Sequence, residues 1–218
     1  MNEVLNLFFG IFLISQISCK TQFGACDQNE YKRLDQFKGN NLVTLSNKKV
    51  EESLLQDFKN EKVYVHKILP NTLSVIIKKR TGFIGISKED LDGTFLVAKD
   101  GTVLSFEKSS AVPTLVLSPT FPNPVVGEKV SNKVLTSGKI LQLVSKVQTV
   151  KNTTLEEEKL SLDLGDTKIL FPTNRDPEVL VGALQLILLD AKIERLRMNN
   201  KVPVSIDLRF KNPVLKYK

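Results

Sequence analysis

Apolar and polar residues alternate with a period of two over much of this chain, and four stretches break that rhythm with helical spacing. The first is Asp27 to Phe37, where Tyr31, Leu34 and Phe37 recur three residues apart and Gly39 ends the run. Asn41 to Leu45 is a brief extended stretch. Ser46 then caps a second helix carrying Val50, Leu54, Leu55 and Phe58 on one face. Val63, Val65 and Lys67 alternate with Tyr64, His66 and Ile68. After Leu69-Pro70-Asn71 a further strand runs over Thr72 to Ile77. With a first strand over Phe12 to Cys19, the order is β-α-α-β-β, which predicts a compact sheet with helices on one face.

From about Thr81 the pattern is mainly β. Asp100-Gly101 separates Phe95–Ala98 from Val103–Phe106, and Gly165-Asp166 separates Lys159–Leu164 from Thr167–Phe171. Both read as hairpins, because the glycine supplies a positive φ at the turn. Val112 to Ser118 is another strand, beside the proline-rich loop Ser118 to Pro124. Ser137 to Val150 has Ile140, Leu141, Val144 and Val147 at helical spacing. Asp176 opens a long helix with Leu180, Leu184, Leu188 and Ile193 inward. The expected class is α+β, a small N-terminal unit followed by a mainly antiparallel β domain with flanking helices.

The last segment, Val202 to Lys218 (VPVSIDLRFKNPVLKYK), reads as β-structure almost to the C-terminus. Little sequence remains to cover its final strand, so that edge is either protected or kept open for a partner. On the open reading, Arg209 could pair with a partner carboxylate, and Phe210 and Tyr217 are the aromatic anchors an interface wants. Val214, Leu215 and Tyr217 belong to the strand itself, and Pro213 limits open pairing to one side of it. On the protected reading, Lys211, Lys216 and Lys218 blunt a solvated edge and Phe210 is core.

Composition changes this picture little. The 218 residues are 41% apolar and 25% charged, ordinary for a folded chain of one large or two small domains. Lys plus Arg is 31 against 24 for Asp plus Glu, a net charge of +7. The basic runs Lys32-Arg33, Lys48-Lys49 and Lys78-Lys79-Arg80 are short and scattered, which argues against nucleic-acid binding.

Two features bear on compartment. Val4 to Ile14 is nearly all apolar but far shorter than the roughly 20 residues a membrane helix needs. Three readings stand: a signal peptide without a basic start, a lipoprotein site ending at Cys19 with Gln16 in an unfavourable place, or residues 1–11 as the end of a truncated membrane helix ahead of the first strand. Cys19 and Cys26 are the only cysteines. They could close a small disulfide loop across Lys20 to Ala25, or stay as two partly buried thiols, according to compartment. With one histidine beside them they make an incomplete zinc set.

Catalytic equipment is sparse. His66 sits in an alternating strand, and nothing near it marks a nucleophile elbow. Glu156-Glu157-Glu158 reads as a solvated turn rather than a metal site. Gly82-Phe83-Ile84-Gly85 lacks the Lys-Ser/Thr of a phosphate loop, and the sequon Asn152-Thr153-Thr154 is a pattern frequent by chance. No catalytic residue, metal, cofactor or small-molecule substrate is expected.

The ordered parts carry a resemblance. Phe12-x-Ile14-x-x-Ile17-x-Cys19 resembles the first strand of a POTRA domain, and Pro70-x-Thr72-Leu73-Ser74-Val75 with Lys78-Lys79-Arg80 resembles its end. Leu96 to Val103, Gly165-Asp166 with Phe171, and Ile206-Asp207-Leu208-Arg209-Phe210 resemble the domain that follows POTRA in the FtsQ/DivIB cell-division proteins. The resemblance implies residues 12–80 as a POTRA-like domain and 81–218 as the β domain. It also implies a non-enzymatic, single-pass scaffold with its bulk outside the cytoplasm at the division septum. Such a protein would bind FtsB/FtsL-like (DivIC-like) coiled-coil partners by strand addition at Arg209, Phe210, Lys211, Val214, Leu215 and Tyr217. It would also help regulate septal peptidoglycan synthesis. The cysteine pair is not required by that pattern. The alternative expectation is another extracytoplasmic POTRA-type envelope module, of which a lipoprotein anchored through Cys19 is one form.

Overall fold

A computed structural model describes residues 11–197 and 203–217, with side chains left aside for 191–197. Residues 1–10, which carry most of the expected membrane-helix end, lie outside the described residues, as do Val202 and Lys218. The chain divides after Arg80 into two compact units, each with its own apolar core.

The first unit is a four-stranded sheet in the order β2-β1-β4-β3, formed by β1 (Gln16–Thr21), β2 (Gly24–Ala25), β3 (Asn60–Ile68) and β4 (Thr72–Lys79). β1 runs parallel to β4, with Cys19 opposite Val75, while β3 runs antiparallel to it, with Val65 opposite Val75. Parallel pairing requires a crossover. Helices α1 (Gln28–Asp35) and α2 (Asn47–Leu55) lie on that path. Period-two alternation then decides the faces. Cys19, Val63, Val65, Leu73, Val75 and Ile77 turn inward to meet Leu34, Val50 and Leu54.

Asp27 starts α1 with a capping box. Its carboxylate accepts from the Asn29 and Glu30 amides, and Glu30 returns a bond to the Asp27 amide. Glu30 is buried, and Lys79 at the end of β4 reaches both carboxylates at 3.0 Å. Burial opposes the charge on Lys79, yet the hydrogen bonds to Asp27 and Glu30 win and its pKa rises. Local detail departs from the sequence expectation in three places. The first strand begins at Gln16, not Phe12, because pairing with β4 starts at Gln16 opposite Thr72. Asn41 to Leu45 is a turn instead of an extended stretch, held by the Asn41 side chain accepting from Val43 and Thr44. α2 stops at Leu55, which is exposed, and Phe58 is only half-buried.

The second unit is one nine-stranded sheet in the order β13-β12-β11-β10-β9-β8-β5-β6-β7. Its strands are β5 (Gly82–Lys88), β6 (Thr94–Ala98), β7 (Val103–Glu107), β8 (Thr114–Leu117), β9 (Thr153–Leu155), β10 (Lys159–Leu164), β11 (Thr167–Pro172), β12 (Pro203–Asp207) and β13 (Val214–Tyr217). The two hairpins stand where the glycine turns predict them, Gly101 at φ 89° and Gly165 at φ 63°. Antiparallel pairs are the majority, but β5–β8, β8–β9 and β11–β12 are parallel.

Helices α3 (Asn132–Ser145) and α4 (Pro177–Arg197) supply the β8–β9 and β11–β12 crossovers and pack on each other, while the β5–β8 crossover is made by β6 and β7. α3 starts five residues earlier than its spacing predicts, capped by Ser131, and it ends before Val147, which is exposed. Gly138 lets it approach β5 closely, since a Cβ there would sit 2.2 Å from Ile84 Cδ1. Asp176 accepts from the Glu178 and Val179 amides and opens α4 as expected. Leu180 and Leu184 are buried, and Leu188 is partly so. The side chain of Ile193 lies outside what is described. Burying each of Ile169, Phe171, Leu160 and Leu162 contributes about 1.5–3 kcal/mol, so the sheet centre around β10 and β11 anchors this unit.

Candidate partner-binding edge

The C-terminal residues complete one side of the nine-stranded sheet. β12 joins β11 in parallel, Ile169 facing Ile206, and Leu208 extends the ladder by donating to the Leu170 carbonyl at 2.8 Å. Ile206 and Leu208 are buried, which fixes the register of β12. The chain then bends over residues 208–213, and β13 returns antiparallel, with Leu215 opposite Ile206 and Val214 opposite Asp207. Pro213 stands just before β13, so it removes no donor from the strand itself.

β13 is the outermost strand among the described residues, and all four of its residues are exposed. Alternate residues of an antiparallel edge strand direct both main-chain groups away from the sheet. The edge therefore carries the apolar side chains Val214, Leu215 and Tyr217 beside main-chain groups that a further strand could use. Lys211 and Lys216 are exposed at the same border.

Phe210 is 55% exposed, so it is not a core residue. Its carbonyl accepts from Arg175 at 3.2 Å, which ties the bend to the start of α4. Arg209, read from the sequence as a residue that could pair with a partner carboxylate, is engaged by a carboxylate of its own chain. It forms a bidentate pair with Asp207: Nε reaches Oδ1 at 3.0 Å, and a terminal nitrogen reaches Oδ2 at 2.7 Å. The Arg209 amide also donates to Asp207 Oδ1. These side-chain bonds hold the Asp207 carboxyl below the usual aspartate range and raise Arg209. The guanidinium also sits 5.8 Å from the Phe210 ring centre.

The Glu156-Glu157-Glu158 turn is part of this neighbourhood. Glu157, Glu158, Lys133, Pro172, Thr173 and Asn174 line a shallow depression with Arg209 and Phe210. The negative field of Glu156 and Glu158 adds to that of Asp207 at Arg209. The run of three glutamates predicts a solvated turn and nothing more. Its closeness to the C-terminal bend follows from the order β11-β10-β9, which no local pattern reveals.

The structure joins Cys19 and Cys26 in a disulfide, with Cα atoms 5.5 Å apart. Cys19 is buried in the middle of β1. A lipid anchor on that sulfur is incompatible with this placement, which removes the basis for a lipoprotein anchored there. Among the described residues no helix is long and apolar enough to cross a membrane.

Residues 31–80 match the family model described as POTRA domain, FtsQ-type. The chain carries an FtsQ-type POTRA domain. β1 lies before the matched segment yet pairs along its whole length with β4 inside it, so the domain's sheet extends beyond the match. This domain supports an FtsQ/DivIB-type POTRA protein, and the strand-rich unit after it is consistent with that type. It points to a cell-division scaffold of a non-enzymatic family. No curated protein matches the chain.

Proposed function

We propose that this FtsQ-type POTRA protein is a membrane-anchored division scaffold that captures FtsB/FtsL-like (DivIC-like) coiled-coil partners by strand addition along β13. The observation that carries the reading is an exposed four-residue edge strand preceded by an exposed aromatic, Phe210. Main-chain bonds along β13 would supply affinity, while Phe210, Leu215 and Tyr217 would supply selectivity. The Asp207–Arg209 pair holds the bend that presents Phe210, so Arg209 acts first as a positioning residue. On this reading the bulk of the chain lies outside the cytoplasm at the septum, where the captured partners would couple it to regulation of peptidoglycan synthesis. Anchoring would fall to the N-terminal residues.

The test is co-purification of the chain with a short coiled-coil membrane protein of the division machinery. Phe210→Ala should abolish capture while leaving the circular dichroism and melting of the chain unchanged, because an exposed ring contributes little to stability. Loss of fold in that variant, or capture that is indifferent to it, would remove Phe210 from the site.

A further inference from the structure

The first unit carries a feature that strand addition does not use. The disulfide closes a loop over Lys20 to Ala25, and the turn at its tip is held by side chains. Gln22 clamps the end of β4, its amide donating to the Lys79 carbonyl at 2.8 Å and accepting from the Lys79 amide at 2.9 Å. Thr21 Oγ1 accepts from the Phe23 amide. All of this order presents Phe23 to solvent at 71% exposure. The cross-link and the two-way amide clamp hold the backbone of this phenylalanine at the tip.

The surface beside the tip is basic as well as apolar. Register places Lys20 next to Ile76, Ile76 opposite Tyr64, and Lys78 opposite Lys62. These five side chains point to the sheet face away from the helices, and all are exposed. The acidic groups nearby are already engaged: Glu61 pairs with Lys78 at 2.9 Å, and Asp27 and Glu30 hold Lys79. Arg80 turns inward to the carbonyl of Phe58.

We infer that Phe23 and the face of Lys20, Lys62, Tyr64 and Ile76 form a docking surface for an anionic lipid bilayer. Charge complementarity requires an anionic occupant, and the type of cation selects between a lipid and a protein. Protein interfaces favour arginine and are depleted in lysine. Lysines flanking an aromatic suit a lipid surface, where the stem lies among apolar groups and the ammonium reaches the headgroups. Phe23 projects outward as an inserting residue does, and the disulfide keeps it pre-organised for that contact.

The chain contains no tryptophan, so Phe23→Trp gives the full-length protein a single reporter at the tip. With vesicles of equimolar phosphatidylglycerol and phosphatidylcholine, its emission should shift to the blue and be quenched by brominated acyl chains. Pure phosphatidylcholine should leave it unchanged. Adding Lys20→Glu and Lys62→Glu should weaken the response about tenfold or more. Replacing both cysteines by serine should weaken it several-fold while the tip residue is retained. An N-terminal segment that enters the vesicle is common to all these variants and cannot produce the differences. Emission that ignores both vesicle types, responds equally to both, or is unaffected by the glutamates would overturn the assignment. A shift produced by an acidic protein and not by vesicles would reassign the surface to a protein partner.

Discussion

Asp207 and Arg209 grip each other across a two-residue step, with the guanidinium lying 2.7 Å from Oδ2 and the Arg209 amide bonded to Oδ1. The pair sits where β12 ends and the chain turns towards β13, so it shapes the exposed bend more than it stabilises the core. Asp207 titrates below its value in the unfolded chain, where an aspartate lies near about 3.9. Its contribution is therefore fully present above that value and is lost as pH falls through the lower native one. Arg209 is more than a third exposed, so screening holds the pair to about 1 kcal/mol or less. Urea unfolding should show Asp207→Asn slightly less stable than wild type at neutral pH and equal to it in strong acid. A gap that persists in acid would assign the effect to something other than this ion pair.

Leu215 and Lys216 are neighbours on an edge strand, so their amides point in opposite directions, one to β12 and one outward. Leu215→Pro and Lys216→Pro should consequently have opposite consequences. One should lose a β12 bond and lower stability by roughly 1–3 kcal/mol. The other should melt like wild type and fail to capture a coiled-coil partner. Strand addition at this edge is excluded should both variants fold and capture normally.

The Cys19–Cys26 bridge closes a short loop at the start of the first unit. In the chain-entropy account a loop of about eight residues contributes roughly 2–3 kcal/mol. Replacing both cysteines by serine should lower the unfolding free energy of the POTRA domain by that amount and leave the second unit unaffected, as read by domain-resolved hydrogen exchange. Adding reductant to wild type should reproduce the shift, whereas the serine variant should not respond to it.

Gly138→Ala sets two effects against each other. Alanine is the better helix former by about 1 kcal/mol. The new methyl meets Ile84 at 2.2 Å in a packed core, and overpacking of that kind costs about 1–3 kcal/mol. Net destabilisation is expected, with partial rescue by Ile84→Val, which trims the colliding side chain. A stabilised Gly138→Ala would show that α3 can lift from β5 at no cost.

What could be read in the sequence was what is local. The Asp100-Gly101 and Gly165-Asp166 hairpins, the capped starts of α1 and α4, and the β-α-α-β-β order all depend on near neighbours. β5 escaped because it is flanked by β6 and β8, and its burial does not alternate. β9 is three residues long and takes its identity from pairing with β8 and β10. The start of α3 escapes the spacing of Ile140, Leu141 and Val144, which marks only the later turns; Ser131 caps the helix, and Ser137 is fully buried inside it. The exposed aromatic at Phe210 was legible as a candidate. The engagement of Arg209 by Asp207 was not, because a two-residue separation acquires meaning only at a bend.

The sheet order also sets a timetable. β11 has β10 on one side from the moment its hairpin closes, but its other neighbour is β12, which is separated from it by all of α4. During synthesis the buried row of Ile169 and Phe171 therefore stands at an open border until the helix and then β12 have been made. A nascent chain stalled before Pro203 would present a more central and more apolar edge than β13 does. The β12–β13 hairpin thus covers that edge and puts a shorter one, β13, in its place.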